Sequence, residues 1–280
     1  MKKTAVIFGA TGTGKQVFEQ AKDKYEILYF VDRSLELIGG ACKELEIKNA
    51  EEIFKETPDV VLMGMVTRHE ETIRYLIDGG FPEERIVCQY VDLSSRARKD
   101  CLEKIAQLFE RKNIPGAVAE LGVYRGDFAK VINEIFPERK LYLFDTFEGF
   151  PEEDMQYEIE NNLLKTEVGK LSNTSVDFVL GRMPHPEQCV IKQGYFPDTA
   201  VGLEEKFAFV NIDVDLYKPI LAGLEYFWPR MADGGYILVH DYFSFSYDGT
   251  KKAIEEFAEK YNVGFAPIGD TLSVIFAKRG

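Results

Sequence analysis

The sequence predicts an α/β protein with two domains, each a parallel sheet covered by helices. Its 280 residues exceed the roughly 150 that are typical of one domain. Short apolar, β-rich segments alternate with helix-like segments along the chain, and this alternation is typical of parallel sheets flanked by helices. A charged, helix-favouring stretch separates two such series. We therefore expect a small Rossmann-like domain over residues 1–92, a connecting helix over residues 93–115 and a second Rossmann-like domain over residues 116–280.

Four strands are expected in the first domain. Residues 4–8 form an apolar run that precedes several glycines and a helix-like segment, and a second run, residues 27–31, ends at Asp32. A third run near residues 60–65 and a short last strand each follow a helix-like segment. The short turns between these segments favour repeated βα units.

Seven strands are expected in the second domain, with helices between most of them. They are residues 117–121, 140–145, 189–192, 207–213, 235–241, 263–268 and 272–277. Only Gly269, Asp270 and Thr271 separate the last two strands. That connection is too short for a crossover, so the two strands are expected to form an antiparallel hairpin. A parallel sheet closed by one reversed strand resembles the layout of class I S-adenosylmethionine (SAM) methyltransferases and differs from ordinary dinucleotide-binding folds.

The composition argues against several classes of protein. Lys and Arg number 34 and Asp and Glu number 47, so the formal net charge is −13, and such a surface repels nucleic-acid phosphates and anionic membranes. No apolar run approaches the length of about 18 residues that a transmembrane helix needs, and the first residues are interpreted as a strand, not as a targeting segment. The four cysteines are scattered without a CxxC pair, which fits reduced thiols in a cytoplasmic protein and argues against a zinc site.

A glycine-rich segment follows the first strand of the second domain. In AELGVYRGDFA, Glu120 lies in the strand, and Gly122 and Gly126 lead into a helix. Gly122 allows a ligand to approach the backbone closely, and the helix N-terminus offers free N–H groups to a carboxylate. The same pattern also fits a simple glycine turn between a strand and a helix.

The next strand, in KLYLFDTFEGF, ends at Asp145. Ligands in doubly wound sheets bind beyond the carboxyl ends of the strands, near the switch in strand order. A carboxylate at this position can accept hydrogen bonds from both ribose hydroxyls of a nucleoside, each contributing roughly 1.5–3 kcal/mol. Together with the glycine segment, Asp145 therefore predicts a nucleoside site.

Three side chains at the ends of two later strands suggest a metal site. FVNIDVDLYKP places Asp213 at one strand end with Asp215 just beyond it, and GGYILVHDYF places His240 and Asp241 at the next. Adjacent parallel strands lie about 4.8 Å apart, so Asp213, His240 and Asp241 can converge. Two carboxylates and an imidazole suit a divalent cation. Alternatively, the carboxylates cap the following helices and His240 faces the core.

Four stretches resemble the macrocin O-methyltransferase (TylF/MycF-type) family: AELGVYRGDFA, LYLFDTFEGFP, GYFPDT and FVNIDVDLYKPILAGLEYFWPRMADGGYILVHDY. The resemblance covers about residues 100–280. It implies a class I fold, SAM as the methyl donor, usually a magnesium ion, and a sugar hydroxyl as the acceptor. Carried over by position, it assigns SAM binding to Glu120, Gly122 and Asp145, and the metal and catalytic positions to Asp213, His240 and Asp241. The predicted cofactor site as a whole consists of Glu120, Gly122, Tyr124, Gly126, Asp145, Thr146, Gly194 and Asp213.

One position departs from the family pattern. The last of these strands commonly ends in two adjacent aspartates, whereas here the first of the pair is His240. This change weakens a magnesium site built only from oxygen atoms, and it leaves open a softer metal or a metal-independent reaction. We expect Asp213 to act as the base if a metal is bound and His240 if none is.

A long insertion, residues 151–188, lies between the second and third strands of the second domain. Segments of this length are usually lids or partner contacts, and we expect this one to cover the acceptor site. Tyr195 or Phe196, after the third strand, either lines the cofactor pocket or packs in the core.

The first domain carries a possible nucleotide site in FGATGTGKQ. Gly9, Gly14 and Lys15 have the spacing of a Walker P-loop, but Gln16 replaces the Ser or Thr that would bind magnesium. Read as a dinucleotide fingerprint, Gly9, Gly12 and Gly14 lack the last small residue, although Asp32 lies about where a ribose-binding acid would be. Alternatively, the domain is purely structural and packs against the catalytic domain or a second subunit.

Three functions are therefore considered. The first is a SAM-dependent O-methyltransferase acting on a sugar or glycosylated metabolite, assisted by Mg²⁺ or another divalent cation. The second is an NAD(P)-dependent oxidoreductase, although no Tyr-x-x-x-Lys pair lies where it would be expected. The third is a nucleotide-sugar-binding or assembly protein whose methyltransferase fold is inactive. A homo-oligomer is expected, without nucleic-acid or membrane partners.

Overall fold

The computed structural model describes residues 2–65, 69–164 and 171–279. The chain divides into two compact units, Met1–Arg96 and Ala97–Gly280. Within the described residues, each unit is built on one sheet, of six strands in the first and seven in the second. Within the described parts of the chain, no helix combines the length and the apolar composition that crossing a membrane requires.

The first unit is a six-stranded sheet in the order β3-β4-β2-β1-β5-β6. Its strands are β1 (Lys3–Phe8), β2 (Tyr25–Asp32), β3 (Ala41–Cys42), β4 (Leu45–Asn49), β5 (Val60–Met63) and β6 (Ile86–Val87). Its helices are α1 (Gly12–Ala21), α2 (Glu52–Glu56) and α3 (His69–Asp78), and α4 (Gln89–Lys112) begins in this unit and ends in the second.

The structure contains a hairpin, formed by β3 and β4, that the sequence analysis did not predict. Its two turn residues, Lys43 and Glu44, have φ angles of +50° and +66°, and Cys42 pairs with Leu45 across them. Two positive φ angles in a two-residue loop are typical of a type I′ turn, which favours Asn-Gly or Asp-Gly. The hairpin was missed because this chain has a Lys-Glu pair there instead.

The second unit is a seven-stranded sheet in the order β12-β13-β11-β10-β7-β8-β9. Its strands are β7 (Ala117–Leu121), β8 (Leu141–Asp145), β9 (Cys189–Gln193), β10 (Phe207–Ile212), β11 (Met231–Val239), β12 (Phe265–Pro267) and β13 (Val274–Ala277). Its remaining helices are α5 (Asp127–Ile135), α6 (Glu152–Glu160), α7 (Val176–Leu180), α8 (Tyr217–Phe227) and α9 (Asp248–Tyr261).

Strand β13 is the reversed strand of this sheet. It pairs antiparallel with both β11 and β12, whereas β8, β9, β7, β10 and β11 pair in parallel. The predicted fold class, with its reversed last strand, is therefore confirmed. Chain order moves outward from β7 to β8 and β9 in one direction and from β10 to β11 in the other. The carboxyl ends of β7 and β10 thus form the switch point at which doubly wound sheets bind ligands.

Aromatic side chains join α8 to the sheet of the second unit. Phe227 is fully buried. Its ring centroid lies 5.8 Å from that of Phe144, 5.6 Å from that of Phe196 and 5.1 Å from that of Phe207. These contacts connect one helix with residues of β8 and β10 and with the segment after β9, so the ring fixes the helix against one face of the sheet.

We predict that Phe227→Ala lowers the free energy of unfolding by about 3–5 kcal/mol, because a buried aromatic ring is lost and a cavity remains. Chemical denaturation measures this change. Val201→Ala is the control, since Val201 is 83% exposed and surface substitutions usually change stability by less than about 0.5 kcal/mol. Equal denaturation midpoints for Phe227→Ala and Val201→Ala would contradict this role of Phe227.

Candidate functional site

A cleft opens at the carboxyl ends of β7, β8, β9 and β10. Six residues of the predicted cofactor site line it: Gly122, Tyr124, Asp145, Thr146, Gly194 and Asp213. Tyr195 and Phe196 line it as well, and so do Asp154 and Asp215, which were not included in the predicted site. Among the residues that line it in the described parts of the chain, there is no lysine, arginine or histidine. The cleft is therefore lined by carboxylates without basic side chains.

Gly122 lies where the ends of β7 and β10 come closest. Its φ is +88°, and a Cβ atom at this position would lie 2.0 Å from the carbonyl oxygen of Asp213. That oxygen belongs to the backbone and cannot move aside as a flexible side chain would. Any other residue would therefore separate the two strand ends that form the floor of the cleft.

The carboxylate of Asp145 stabilises the loop after β7. Its Oδ2 accepts hydrogen bonds from the backbone N–H groups of Val123 (2.7 Å) and Tyr124 (2.8 Å), and its Oδ1 accepts one from Phe147 (2.6 Å). A carboxylate offers about four acceptor positions, so roughly one remains for a ligand. A ribose bound here would need a second acceptor to satisfy its other hydroxyl.

Three further members of the predicted cofactor site have structural contacts of their own. The hydroxyl of Thr146 donates to the carbonyl of Gly149 at 2.8 Å. The hydroxyl of Tyr124 donates to Asn173 at 2.6 Å. Gly126 precedes α5 with a φ of +75°, and a Cβ there would lie 3.0 Å from Val179. Gly126 does not line the cleft, and this close packing accounts for the absence of a side chain.

Glu120 lies beneath the cleft and is 2% exposed. Its Oε1 accepts a hydrogen bond from Asn211 at 2.8 Å, and among the described residues nothing donates to its Oε2. Burial, and secondarily the negative charge of Asp213, raise the pKa of Glu120 well above its ordinary value, although Arg98 and Asn211 act in the opposite direction. Glu120 does not line the cleft, so a role in SAM binding stays a prediction and would be indirect.

Asp213, His240 and Asp241 come together at the ends of β10 and β11. Each offers one ligand atom, and these atoms lie within 4.8 Å of one another. The His240 Nδ1 lies 3.2 Å from Asp213 Oδ1 and 2.9 Å from Asp241 Oδ2. The backbone N–H of His240 donates to the carbonyl of Ile212 at 2.9 Å, so the pairing of the two strands fixes the position of the imidazole.

Opposite charges balance within this cluster. Burial acts to raise the pKa of Asp213, but His240 and Arg98 outweigh it and hold that pKa below its usual range. Burial acts to lower the pKa of His240, but Asp213 and Asp241 outweigh it and raise that pKa to about 10. Burial, followed by Asp241, raises the pKa of Asp215. In the protein without ligands, Asp213 is therefore ionised and His240 protonated at neutral pH.

Arg98, on α4, is a member of the site that the sequence analysis missed. Its guanidinium lies 3.2 Å from Asp213 Oδ2 and 3.4 Å from the Asn211 amide oxygen, and it stacks on Phe128 with 4.1 Å to the ring centroid. Its side chain is 12% exposed. In the sequence, an arginine within a charged helix is not distinguishable from a solvated surface residue.

The insertion between β8 and β9 contributes to the packed domain. Asp154 and Glu158 of α6 and Val179 of α7 are buried, and Pro151, Asp154 and Leu171 line the cleft. Residues 165–170 of the insertion lie outside the described residues. The expectation that the insertion covers the acceptor site stays a prediction.

Packing and local hydrogen bonds account for several features of the glycine segment in the first unit. A Cβ on Gly9 would lie 2.7 Å from the carbonyl oxygen of Gly64, and one on Gly14 would lie 1.9 Å from that of Gly9. Asp32 Oδ2 accepts a hydrogen bond from the N–H of Ala10 at 3.0 Å. Gly12 begins α1. A nucleotide site formed by this segment with Lys15 stays a prediction.

The model of the family described as macrocin O-methyltransferase (TylF) matches residues 90–276, about two thirds of the chain. The 8-demethyl-8-(2,3-dimethoxy-alpha-L-rhamnosyl)-tetracenomycin-C 4′-O-methyltransferase of Streptomyces olivaceus is 24% identical over 181 residues, which cover 59% of this chain and 67% of that protein. The mycinamicin III 3″-O-methyltransferase of Micromonospora griseorubida is 26% identical over 166 residues, which cover 55% of this chain and 64% of that protein. The chain thus spans about two thirds of the length of these relatives.

Two solved structures share the fold. The O-methyltransferase NovP superposes with a TM-score of 0.55 and 20% identity, covering 66% of this chain and 80% of NovP. The calicheamicin methyltransferase CalS11 superposes with a TM-score of 0.52 and 18% identity, covering 81% of this chain and 88% of CalS11. At these identities the likeness concerns the fold.

We predict that Glu120→Gln stabilises the protein increasingly as the pH rises above 4.5, the ordinary pKa of glutamate. Because its pKa is raised on folding, Glu120 binds its proton more tightly in the folded state, so ionisation lowers the free energy of unfolding as pH increases. Glutamine keeps the acceptor for Asn211 and does not ionise. Melting temperatures between about pH 4 and pH 8 measure the difference, with the exposed Glu138→Gln as the control. A difference that does not change with pH would contradict the prediction.

Proposed function

Because the chain belongs to the macrocin O-methyltransferase family, we propose that it transfers the methyl group of SAM to a hydroxyl of a sugar or a glycosylated small molecule. The observation that carries this proposal is the position of Gly122 and Asp213 at the switch point of a class I sheet, where they line one cleft. The relatives include a methyltransferase of a rhamnosyl tetracenomycin and one of mycinamicin III, which supports a glycosylated acceptor.

The electrostatics of the cleft support a cationic donor. Asp145, Asp154, Asp213 and Asp215 line it, and none of the lining residues described is basic. A sulfonium carries a positive charge, so carboxylates stabilise it, whereas they repel the pyrophosphate of NAD(P) or of a nucleotide sugar. The cleft thus favours SAM over the ligands of the two alternative functions, an NAD(P)-dependent oxidoreductase and a nucleotide-sugar-binding protein with an inactive methyltransferase fold.

Asp213 is proposed as the residue that accepts the proton. The acceptor oxygen attacks the methyl carbon in line with the breaking S–C bond, its proton passes to Asp213, and S-adenosylhomocysteine leaves. Alignment of the two reactants supplies about 7–11 kcal/mol of the barrier reduction, and the floor at Gly122 fixes where the donor lies. His240 is protonated at neutral pH in the cluster as it stands, which favours Asp213 as the base.

We also propose that Asp213, His240 and Asp241 hold a divalent cation. Their ligand atoms lie close enough to share one ion, and one nitrogen with two carboxylates suits Mn²⁺, Fe²⁺ or Zn²⁺ better than Mg²⁺, which prefers oxygen. When bound, such an ion lowers the pKa of the acceptor hydroxyl and orients it. His240 would hold such an ion through a neutral imidazole nitrogen, Asp213 and Asp241 would hold it through carboxylate oxygens, and Asp213 would remain the proposed proton acceptor.

Asp213→Ala is expected to abolish methyl transfer while SAM binding is retained, since the base is lost but the glycine loop and the other carboxylates of the cleft remain. Calorimetry with SAM and a methyl-transfer assay on a glycosylated acceptor measure the two effects. Asp233→Asn, an exposed carboxylate within β11, is the matched control. Full activity of Asp213→Ala would remove Asp213 from the chemistry, and wild-type protein that binds NAD or a nucleotide sugar but not SAM would contradict the proposed function.

Chelation of divalent cations is expected to reduce methyl transfer, and Mn²⁺ is expected to restore it at lower concentration than Mg²⁺. Asp241→Asn should weaken Mn²⁺ binding in calorimetry by at least about tenfold, because one of three ligands loses its charge. Asp233→Asn again serves as the control. Unchanged turnover after chelation, together with no measurable Mn²⁺ binding, would contradict the metal proposal.

A further inference from the structure

One carboxylate in the cleft lacks a donor for one of its oxygens. Asp154 of α6 lines the cleft and is 2% exposed. Its Oδ1 accepts a hydrogen bond from the hydroxyl of Tyr195 at 3.2 Å and lies 3.8 Å from the Lys218 Nζ. Its Oδ2 is buried and accepts no hydrogen bond from any described residue.

Such an oxygen is unfavourable in a folded protein unless a ligand supplies the missing donor. Buried polar atoms are nearly always hydrogen-bonded, and a carboxylate loses more solvation than a neutral group does. Burial raises the pKa of Asp154, whereas Tyr195 and Lys218 act to lower it. Asp154 lines the cleft, so an N–H or O–H group of a ligand bound there would supply the missing donor.

Tyr195 and Asp213 mark the two ends of the cleft. The hydroxyl partner of Asp154, Tyr195, follows β9 at the edge of the sheet, whereas Asp213 follows β10. Three strand spacings separate β9 from β10 in the sheet, which at about 4.8 Å each amounts to roughly 14 Å. The proposed ribose contact, Asp145, follows β8, which lies between β10 and β9 in the sheet. With the methyl carbon near Asp213, the adenosine arm of SAM therefore extends past Asp145 toward Tyr195, whose hydroxyl donates to Asp154.

We infer that Asp154 is a specificity-determining residue that accepts a hydrogen bond from the exocyclic amine of adenine. This inference rests on the proposed function and deepens it. The exocyclic amine is the donor at the far end of adenosine from the sulfonium, where Asp154 lies. The ribose hydroxyls are nearer to the sulfur, on the side of Asp145, which keeps roughly one acceptor position.

The test compares ligands that differ by one donor. S-adenosylhomocysteine is measured by calorimetry against its analogue with purine in place of adenine, which lacks the amine, and against its 2′-deoxy and 3′-deoxy analogues. Each ligand is titrated into the wild-type protein, Asp154→Ala, the conservative Asp154→Asn, and Glu153→Ala. Glu153 is the matched control because it neighbours Asp154 on α6, pairs with Lys218 at 3.2 Å, and has a side chain 89% exposed.

In the wild type and in Glu153→Ala, loss of the amine is expected to weaken binding by roughly tenfold or more, as for a hydrogen bond to a charged acceptor. Asp154→Ala should bind S-adenosylhomocysteine and its amine-free analogue equally well. In Asp154→Asn the preference for S-adenosylhomocysteine over that analogue should be smaller than in the wild type. If Asp154→Ala does not fold, the wild type and Asp154→Asn still decide the question.

Any of three results would overturn the inference while leaving the proposed function intact. One is wild-type protein that binds S-adenosylhomocysteine and its amine-free analogue equally well. Another is a preference for the amine that persists in the Asp154 variants. The third is a penalty for the deoxyribose analogues that disappears in those variants instead. Wild-type protein that binds none of these ligands would contradict the proposed function itself.

Discussion

The contact between the ends of β7 and β10 is the constraint on which the candidate site depends. At this point the backbone of Gly122 approaches the carbonyl of Asp213 so closely that a Cβ would lie 2.0 Å from it. The approach is possible because β7 and β10 are neighbours in the sheet and Gly122 has no side chain. This contact borders the cleft, with the loop after β7 on one side and Asp213 on the other.

Charge balance maintains this arrangement around the floor. Three aspartates and Glu120 lie at or beneath the ends of β7, β10 and β11, and Arg98 and His240 are the cations that the structure pairs with Asp213. Non-glycine residues with positive φ also occur in these loops, namely Tyr124, Phe147, Asp215 and Asp241. Residues in such sparsely populated backbone conformations concentrate at functional sites, where surrounding hydrogen bonds hold them. Asp145 holds two of these loops in place, since its carboxylate accepts hydrogen bonds from the backbone N–H groups of Tyr124 and Phe147.

The two glycine-rich segments of the chain differ in what surrounds them. Gly122 leads into a cleft that carboxylates line, and the family match covers it. Gly9 packs against the backbone of Gly64, and Gly14 packs against the backbone of Gly9. The family match begins after both glycines. A glycine pattern indicates a close approach of the backbone, and the identity of the approaching group, ligand or protein, depends on the neighbouring strand.

The sequence by itself determined the α/β class, the reversed strand β13 and the strand ends that carry Asp145, Asp213 and His240, because apolar periodicity and connection length depend on local chain geometry. The tertiary structure alone decided that Arg98 reaches Asp213 and that Asp154 lines the cleft, because both side chains arrive from helices whose positions depend on packing. It also decided that Asp145 stabilises a loop and that Glu120 lies beneath the cleft. A residue type states which hydrogen bonds a side chain can form, and only the arrangement of its neighbours determines which of them are already formed.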